Sequence, residues 1–156
     1  MRRSKSSKSN RFGLGSVLAP VVGNATDVDT VNMACKLAND ANGIVHIIYV
    51  IEVPREHPVD TEQHESTARG EEILDEMEAL AKLSKCTAEA ELLQARKAGL
   101  AIVHEAVDKQ VDAIVLGTTY KHSYGAFTLG ETIPYVIHHA PCRVIIMRLG
   151  TKGREQ

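Results

Sequence analysis

The residues best suited to chemistry in this sequence lie in one segment, residues 117–132. It reads Gly-Thr-Thr-Tyr-Lys-His-Ser-Tyr-Gly-Ala-Phe-Thr-Leu-Gly-Glu-Thr and combines three glycines and several hydroxyls with Lys121 and His122. Where such a segment leads into a helix, the first backbone N–H groups have no partner within the helix, and the helix dipole favours negative charge. The composition therefore predicts a cradle for an anion such as phosphate, although many strand-to-helix loops of this kind bind nothing.

The other titratable and nucleophilic residues show no catalytic arrangement. His138 and His139 are neighbours on a predicted helix, so their side chains point about 100° apart and cannot hold one metal ion together. His46 falls in a predicted buried strand, where a hydrogen-bonded core histidine is expected. Ser16 forms no nucleophile–base arrangement with Asp27 or Asp29, and His104-Glu105 has no partner at zinc-protease spacing. Cys142 precedes a predicted buried strand and is interpreted as part of the core. The sequence thus predicts neither a catalytic centre nor a metal site, and a protein that is not an enzyme.

Apolar runs and amphipathic segments alternate along the chain, and they define the elements that must position the 117–132 segment. Strands are predicted at 16–22, 44–51, 87–95, 112–117 and 143–147, with helices between them. Short apolar runs joined by helical crossovers indicate a parallel sheet covered on both faces. Right-handed crossovers then predict an open, doubly wound α/β fold with five parallel strands in the order 3-2-1-4-5.

Ligands of such sheets bind beyond the carboxyl ends of the strands, at the point where the strand order reverses. In the order 3-2-1-4-5 that point lies between the first and fourth strands. The residues that follow Val22 and Leu116 are therefore the expected ligand-binding region.

Composition and charge limit the possible classes of protein. The chain has 156 residues, of which 44% are hydrophobic, enough for one packed domain, and no apolar run approaches the ~20 residues of a membrane span. Serines follow the basic start where a secretory signal would be apolar. Cys35, Cys86 and Cys142 lie far apart, a pattern typical of free thiols in a reducing compartment, and we expect a cytoplasmic protein.

The charges divide the chain into a basic arm and an acidic body. Residues 1–13 carry five basic and no acidic side chains, leaving 13 basic against 20 acidic ones for the rest. The arm is interpreted as a flexible terminus, or alternatively as a contact with phosphate or a membrane surface. We expect the globular domain at 14–150 and a short flexible tail at 151–156. Ten acidic residues within 52–78 are interpreted as the solvated face of a helix rather than a metal site. Nucleic-acid binding is disfavoured, because the six aromatic residues do not alternate with a basic stripe.

Four segments together resemble the universal stress protein family, and the resemblance covers residues 16–149. They are Val17-Leu-Ala-Pro20, His46-Ile-Ile-Tyr-Val50, Ala98-Gly99 ahead of Val111-Asp-Ala-Ile-Val-Leu-Gly117, and His138-His139-Ala-Pro-Cys-Arg-Val-Ile-Ile-Met147. The last is similar to the ending HAPCPVLVV of the family. The resemblance implies a Rossmann-like fold of the adenine nucleotide alpha hydrolase type.

The resemblance also implies an adenine-nucleotide site, with departures from the motif of the ATP-binding members. Gly117 and Gly130 match the first and last glycines of that motif, but its middle glycine is Tyr120 and the serine after its last glycine is Glu131. The aspartate that faces the nucleoside corresponds to Val22. A tyrosine prevents close approach of the backbone, a glutamate repels phosphate, and a valine accepts no hydrogen bond.

Other residues match the family or compensate for these losses. Pro20 and Val50 match, and the backbone of Val50 would face adenine. Thr118, Lys121, His122 and Thr132 add donors and one positive charge. Because three losses outweigh these gains, we expect weak or absent binding of ATP. The candidate nucleotide-binding residues are Pro20, Val22, Val50, Gly117, Thr118, Lys121, Gly130 and Thr132.

Three functions remain open at this point. The first is a non-catalytic regulatory module that acts on a protein partner. For such a module the resemblance implies a homodimer, in which the last strand, Arg143 to Arg148, pairs with that of the second copy. The second is an adenine-nucleotide-binding or slowly ATP-hydrolysing protein that uses the 117–132 segment. The third is a cytosolic partner of a membrane transporter, for which the basic arm is the only support.

Overall fold

The computed structural model describes residues 13–119, 122–123, 126–127 and 129–150, with side chains for 13–119 and 129–150. Its elements are β1 (Ser16–Val21), α1 (Thr26–Asn39), β2 (Ile44–Glu52), α2 (His64–Leu83), β3 (Thr87–Ala95), α3 (Ala98–Asp108), β4 (Ala113–Thr118), β5 (His122–Ser123), β6 (Ala126–Phe127), α4 (Thr132–His139) and β7 (Arg143–Arg148). The basic arm through residue 12, the tail at 151–156, and Tyr120 and Lys121 lie outside the described residues.

Five strands form one parallel sheet in the order β3-β2-β1-β4-β7. This confirms the predicted order 3-2-1-4-5, with β7 as the fifth strand of the sheet. The segment 117–132 was predicted as a loop. The structure differs in one respect, because β5 and β6 pair within this segment as a small antiparallel hairpin. Strands of two residues are too short to show the alternating pattern from which strands are predicted.

Two apolar cores cover the two faces of the sheet, and alternate residues of each strand enter one or the other. Val17, Ala19 and Val21 of β1 pack with α1 and α2, whereas Leu18 packs with α3 and α4. A strand buried on both faces needs apolar side chains at successive positions, which is why β1, β2 and β4 appear as nearly continuous apolar runs.

Three helices return to the sheet through the same type of turn. Asn42, Lys85 and Gln110 follow α1, α2 and α3, and each has a positive φ, between 51° and 54°. The N–H of the next residue donates to the carbonyl five residues earlier, at 2.8, 3.0 and 3.2 Å for Gly43, Cys86 and Val111. Such left-handed caps satisfy the last helical carbonyls and direct the chain back toward the sheet.

None of the helices among the described residues is both long enough and apolar enough to span a bilayer. The longest of them, α2, buries Ile73, Leu74, Met77 and Ala81 and turns its acidic side chains to solvent. This agrees with the predicted solvated face. Among the described residues, no three histidine, cysteine or acidic side chains lie close enough together to hold a metal ion.

Candidate functional site

The sheet opens at its carboxyl edge between β1 and β4. In the described part of the chain, these strands pair at Val17–Ala113 and Leu18–Ile114, near their amino ends. By contrast, β1 pairs with β2, and β4 with β7, along their whole lengths. Pro20 has no N–H to donate, so a ladder hydrogen bond is missing in the second half of β1. The crevice expected at the reversal of strand order therefore exists.

The chain leaves β1 through a turn that a buried carboxylate holds together. The Val22 and Gly23 amides donate to the two oxygens of Asp27, at 2.9 and 2.7 Å. Burial raises the pKa of Asp27, while these backbone hydrogen bonds and the charge of Arg69 act in the opposite direction. The side chain of Val22 is exposed beside this turn. Asp27 thus shapes the turn, and Val22 exposes an apolar side chain next to it.

Gly117 and Gly130 are glycines for two different structural reasons. A Cβ at Gly117 would collide with the Thr30 hydroxyl and lie 2.8 Å from Cβ of Thr26, so this glycine lets α1 pack on the end of β4. Gly130 has φ +75°, and a Cβ built on it would meet no described atom within 4 Å, so it permits the left-handed turn that precedes α4. At Thr118, the carbonyl accepts from the Leu149 amide at 2.9 Å, and the hydroxyl donates to the Thr119 carbonyl at 3.3 Å.

A cleft of about 300 Å³ lies beside this crevice, between the first turns of α3 and α4; we call it the α3–α4 cleft. Its lining residues are Glu52, Lys97, Ala98, Gly99, Leu100, Glu131, Thr132 and Tyr135. Of the predicted nucleotide-binding residues that the structure describes, only Thr132 lines this cleft. Pro20, Val22, Val50, Gly117, Thr118 and Gly130 lie elsewhere along the carboxyl half of the sheet and its loops, and Lys121 is outside the described residues.

Charged side chains shape the rim of the α3–α4 cleft. The Glu52 carboxylate at the end of β2 accepts from the Ala98 amide at 2.8 Å and so caps α3. Lys97 Nζ lies 3.7 Å from Glu131 Oε1, which joins the two helix starts across the cleft. Their side chains are 66% and 87% exposed, so this pair adds about 0–1 kcal/mol to stability. Its larger effect is local, because it holds a carboxylate at the start of α4.

An aromatic wall completes the cleft. A Cβ at Gly99 would lie 3.0 Å from Cδ1 of Tyr135, so glycine at this position lets the tyrosine ring pack against α3. Tyr135 also stacks on His139, with ring centroids 4.1 Å apart, and His139 Nδ1 lies 3.0 Å from the Tyr135 carbonyl. The ring is therefore held in place by its neighbours.

The loop between β2 and α2 is fastened to the end of β3 next to this cleft. Arg96 Nη1 donates to the carbonyls of Pro54 and His57, both at 2.6 Å. Gln94 Nε2 donates to the carbonyls of Val59 and Thr61 at 2.8 and 3.0 Å. Arg96 also donates to the Val53 carbonyl at 3.4 Å. Gln94 of β3 and Arg96, one residue beyond its end, thus satisfy five loop carbonyls, which fixes a segment that contains no helix or strand of its own.

The sequence predictions missed most residues of the α3–α4 cleft. In the sequence, Ala98-Gly99 is part of the resemblance to the family and has no predicted role in a site. The structure leaves the neighbouring Leu100 51% exposed and buries Ala101 and Ile102. The rule that ligands bind where the strand order reverses predicts a site at the ends of β1 and β4. The cleft is instead lined by Glu52 at the end of β2 and by Lys97 just after β3.

His46 corrects another expectation. Its Nδ1 is buried and has no hydrogen-bond partner among the described residues; the carboxylate of Glu89 is 3.7 Å away. Burial is the main cause that lowers the pKa of His46, followed by the positive charge of Lys109. The prediction of a hydrogen-bonded core histidine was therefore wrong, because the acceptor expected in the core is replaced by a solvated carboxylate at the sheet edge.

The cysteines are free thiols, and the structure gives no reason to expect a reactive one among them. Burial, together with the neighbouring Cys86 thiol, raises the pKa of Cys35 to about 12. Burial also raises the pKa of Cys142. Because the thiolate is the nucleophile, both groups are suppressed at neutral pH.

The fold and the opened carboxyl edge define a doubly wound α/β protein with five parallel strands. The model of the universal stress protein family matches residues 7–148. The chain belongs to the universal stress protein family. A search of curated protein sequences gives no match.

Solved structures share the fold at low sequence identity. A universal stress protein from Archaeoglobus fulgidus has a TM-score of 0.72 and 19% identity, covering 85% of this chain and 97% of that one. The A. fulgidus protein in complex with dAMP has a TM-score of 0.67 and 19% identity, covering 86% and 98%. A family member from Arabidopsis thaliana with AMP bound has a TM-score of 0.62 and 13% identity, covering 88% and 94%.

Proposed function

We propose that this protein is a non-catalytic regulatory module that acts as a homodimer and binds ATP weakly or not at all. The observation that carries the proposal is the Glu131 carboxylate at the start of α4, held 3.7 Å from Lys97. A phosphate bound at this helix start would meet a like charge, and the nearest lysine across the cleft is already paired.

Two further features of the carboxyl edge support weak binding of nucleotide. Val22 is exposed directly after β1, and its side chain accepts no hydrogen bond from a ribose hydroxyl. The space that a side chain would take at Gly117 is filled by Thr26 and Thr30, so this glycine is accounted for by packing. The motif glycines are therefore no argument, by themselves, for a phosphate site.

The second candidate function is adenine-nucleotide binding. It is favoured by the relatives whose structures hold dAMP and AMP, and by the left-handed Gly130, which places the Thr132 hydroxyl on the cleft wall. Under this alternative Thr118 and Lys121 would add a hydroxyl and a positive charge. Slow hydrolysis of ATP belongs to the same alternative.

The two edges of the sheet differ in a way that supports a homodimer through β7. On β3 the exposed positions include Glu89 and Glu91, and charged side chains at an edge oppose pairing with another strand. On β7 four apolar residues, 144–147, lie between Arg143 and Arg148. The β7 edge is therefore the one suited to a second copy.

Native mass spectrometry of the purified protein, repeated with Mg·ATP, AMP and cyclic AMP, tests the proposal. We expect a dimer whose mass corresponds to two bare chains and does not change when ATP is added. Retention of an adenine nucleotide through purification would support the second candidate instead. A monomer at micromolar concentration would contradict the proposed assembly.

A further inference from the structure

A groove of about 310 Å³ between α1 and α2 carries exposed carboxylates; we call it the α1–α2 groove. Glu72 and Glu76, one turn apart on α2, line it, and neither forms an ion pair with another described residue. Among the described residues that line the groove, only Arg69 is basic, and its Nη2 donates to the Gly23 carbonyl at 3.2 Å. The groove therefore favours an occupant that brings positive charge.

Apolar side chains complete the lining of the α1–α2 groove. Ile73 and Met77 form its buried part, and Val28 of α1 lines it while remaining 45% exposed. Lysine and arginine side chains pack their aliphatic stems on apolar surface while their charged ends bind carboxylates. The groove is therefore complementary to a basic peptide segment.

The solvent-facing side of α2 extends this acidic surface beyond the groove. The helix carries six acidic side chains against Arg69 and Lys82, and none of the six is among its buried residues. The acidic positions run from Glu65 to Glu78, which is about 20 Å of helix at ~1.5 Å per residue. An extended basic segment that enters the groove therefore meets carboxylates along most of α2.

The chain itself supplies such a segment in residues 1–12 of its basic arm, which lie outside the described residues. Their five basic side chains, with no acidic one, are Arg2, Arg3, Lys5, Lys8 and Arg11. Just after this segment, the Leu14 amide donates to the Leu37 carbonyl in the last turn of α1, at 3.4 Å. Asn39 Nδ2, at the end of α1, donates to the Ser84 carbonyl directly after α2, at 3.1 Å. The arm therefore joins the domain beside the ends of both helices that form the groove.

The length of the arm is sufficient for it to follow α2. From Leu83 back to Glu72 the helix axis measures about 16 Å, and back to Glu65 about 27 Å, at ~1.5 Å per residue. Twelve extended residues span up to about 40 Å. Because the arm is tethered at the end of α2, its effective concentration at the groove is high, which compensates for the weakness of single exposed ion pairs.

The arm of a second copy joined through β7 is less well placed to fill this groove. A Cβ at Gly70 of α2 would lie 2.7 Å from side-chain atoms of both Tyr49 and Leu92, so α2 packs over β2 and β3, at the end of the sheet opposite β7. With neighbouring strands about 4.8 Å apart, the arm of the second copy would cross seven strand spacings, about 34 Å, from its own β1 to β3 of the first copy. The arm of the same chain crosses one or two.

We propose that residues 1–12 bind the α1–α2 groove of their own chain and follow the acidic side of α2. The contact consists of several exposed ion pairs over apolar surface, so it weakens as salt screens the charges. At low salt it covers the acidic side of α2 and occupies the basic side chains of the arm. Docking of the arm depends neither on ATP binding nor on dimer formation.

A tryptophan in the groove tests where the arm binds. The sequence contains no tryptophan, so Val28→Trp introduces a single indole into the groove lining. Val107→Trp is the matched control, because Val107 is 53% exposed, against 45% for Val28, and lies on α3 at the other face of the sheet. Raising the salt to about 1 M, where the Debye length is ~3 Å, should increase acrylamide quenching of Val28→Trp by about twofold and leave that of Val107→Trp unchanged. Glutamine at all five basic positions of the arm should give the high-salt value of Val28→Trp at low salt.

A tryptophan in the arm tests which carboxylates hold it and leaves the groove unaltered. Ser7→Trp keeps all five basic side chains, and its fluorescence anisotropy should fall when the salt is raised. Glu72→Gln/Glu76→Gln in the Ser7→Trp protein should remove most of that fall. Asp108→Asn/Glu131→Gln removes the same number of exposed carboxylates from the side of α3 and α4, and should leave the fall unchanged.

Several results would contradict docking of the arm on its own chain. A lack of salt response in both reporters overturns the inference, and so does a control pair of substitutions that acts as strongly as Glu72→Gln/Glu76→Gln. A salt-dependent signal that disappears on dilution means that the arm binds a second copy. If Ser7→Trp responds only to vesicles of phosphatidylserine and phosphatidylcholine, the arm binds membranes instead. None of these results alters the proposed function, which native mass spectrometry tests separately.

Discussion

At Gly117 a hydrogen atom in place of a side chain lets α1 rest on the end of β4. Thr26 and Thr30 are buried against it, so a methyl group has no open space to enter. Gly117→Ala should lower the free energy of unfolding by about 1–3 kcal/mol, the usual cost of overpacking a core. Urea denaturation followed by circular dichroism measures this change.

Two comparisons show whether packing is the cause. Thr30→Ala removes the colliding hydroxyl, so Gly117→Ala should lower the free energy of unfolding less in the Thr30→Ala protein than in the unaltered chain. Gly150→Ala adds a methyl group with no atom of the described residues within 4 Å and should be neutral. Equal stability of Gly117→Ala and the unaltered chain would mean that α1 shifts away without cost, and the packing explanation would be wrong.

His46 gives the core a dependence on pH. Its lowered pKa means that the unfolded chain takes up the proton first, as the pH falls below the ordinary value of 6.5. The free energy of unfolding should therefore fall as the pH decreases from about 7 to about 5, by about 1.4 kcal/mol for each unit by which folding lowers the pKa. The charges that face His46 are Lys109 and Glu105 from the α3 side and Glu89 and Glu91 from β3. Glu89 opposes the shift, but it is largely exposed and screened, so burial dominates.

His46→Leu removes both the titration and the buried nitrogen that lacks a partner. The stability advantage of this variant over the unaltered chain should grow as the pH is lowered from 7 to 5, measured by urea denaturation at each pH. His104→Gln, which alters an exposed imidazole on α3, is the control. A difference between His46→Leu and the unaltered chain that stays constant with pH would exclude His46 as the titrating group.

At the scale of elements, the left-handed residues that end α1, α2 and α3 are not glycines. An L-residue in this conformation is strained by about 1–2 kcal/mol, whereas glycine adopts it freely but loses more entropy on folding. Gln110→Gly should therefore raise the free energy of unfolding by about 0.5–1 kcal/mol in urea denaturation. Gln110→Ala also removes the side chain but keeps the strain, so it should give no gain. If alanine stabilised as much as glycine, strain at φ 51° would not be the reason.

The elements were largely predictable, and the residues that connect them were less so. The parallel strands follow from apolar side chains at successive positions, and β3 was predicted at 87–95, as found, despite its alanines. A turn at Asn42-Gly43 is predictable because asparagine and glycine tolerate positive φ, whereas Lys85 and Gln110 carry no such signal. The β5–β6 hairpin is too short to show a period.

The crevice between β1 and β4 was predictable from topology alone, but the α3–α4 cleft was not. Its walls depend on the contact of Tyr135 with Gly99 and on the pairing of Lys97 with Glu131. These residues are more than thirty positions apart in the sequence, and no local pattern relates them. Long-range contacts of single side chains are decided by packing, which a pattern of apolar and polar residues does not specify.

At the scale of the whole molecule, the edge of β7, which pairs on one side only among the described strands, determines how a second copy would meet the first. A two-fold axis perpendicular to the sheet pairs the two β7 strands in antiparallel fashion and keeps each face of the sheet on its own side. Side chains on the face of Ile146 then meet the same face of the partner strand, which carries Val144, Ile146 and Arg148. Ile145 and Met147 lie on the opposite face, against the α1 side of the core.

Ile146→Lys should therefore separate the proposed dimer. Ile146 is 36% exposed in the single chain, so the substitution costs the fold little, but symmetry places two new charges near each other and near two arginines. Dimer dissociation should become at least tenfold easier, measured by sedimentation velocity across a dilution series. Leu83→Lys introduces the same charge at an 81% exposed position at the end of α2 and should leave assembly unchanged. Because Ile146→Leu preserves the apolar contact, that variant should also remain dimeric. If the Ile146→Lys protein stayed dimeric at every dilution, the second copy would bind elsewhere.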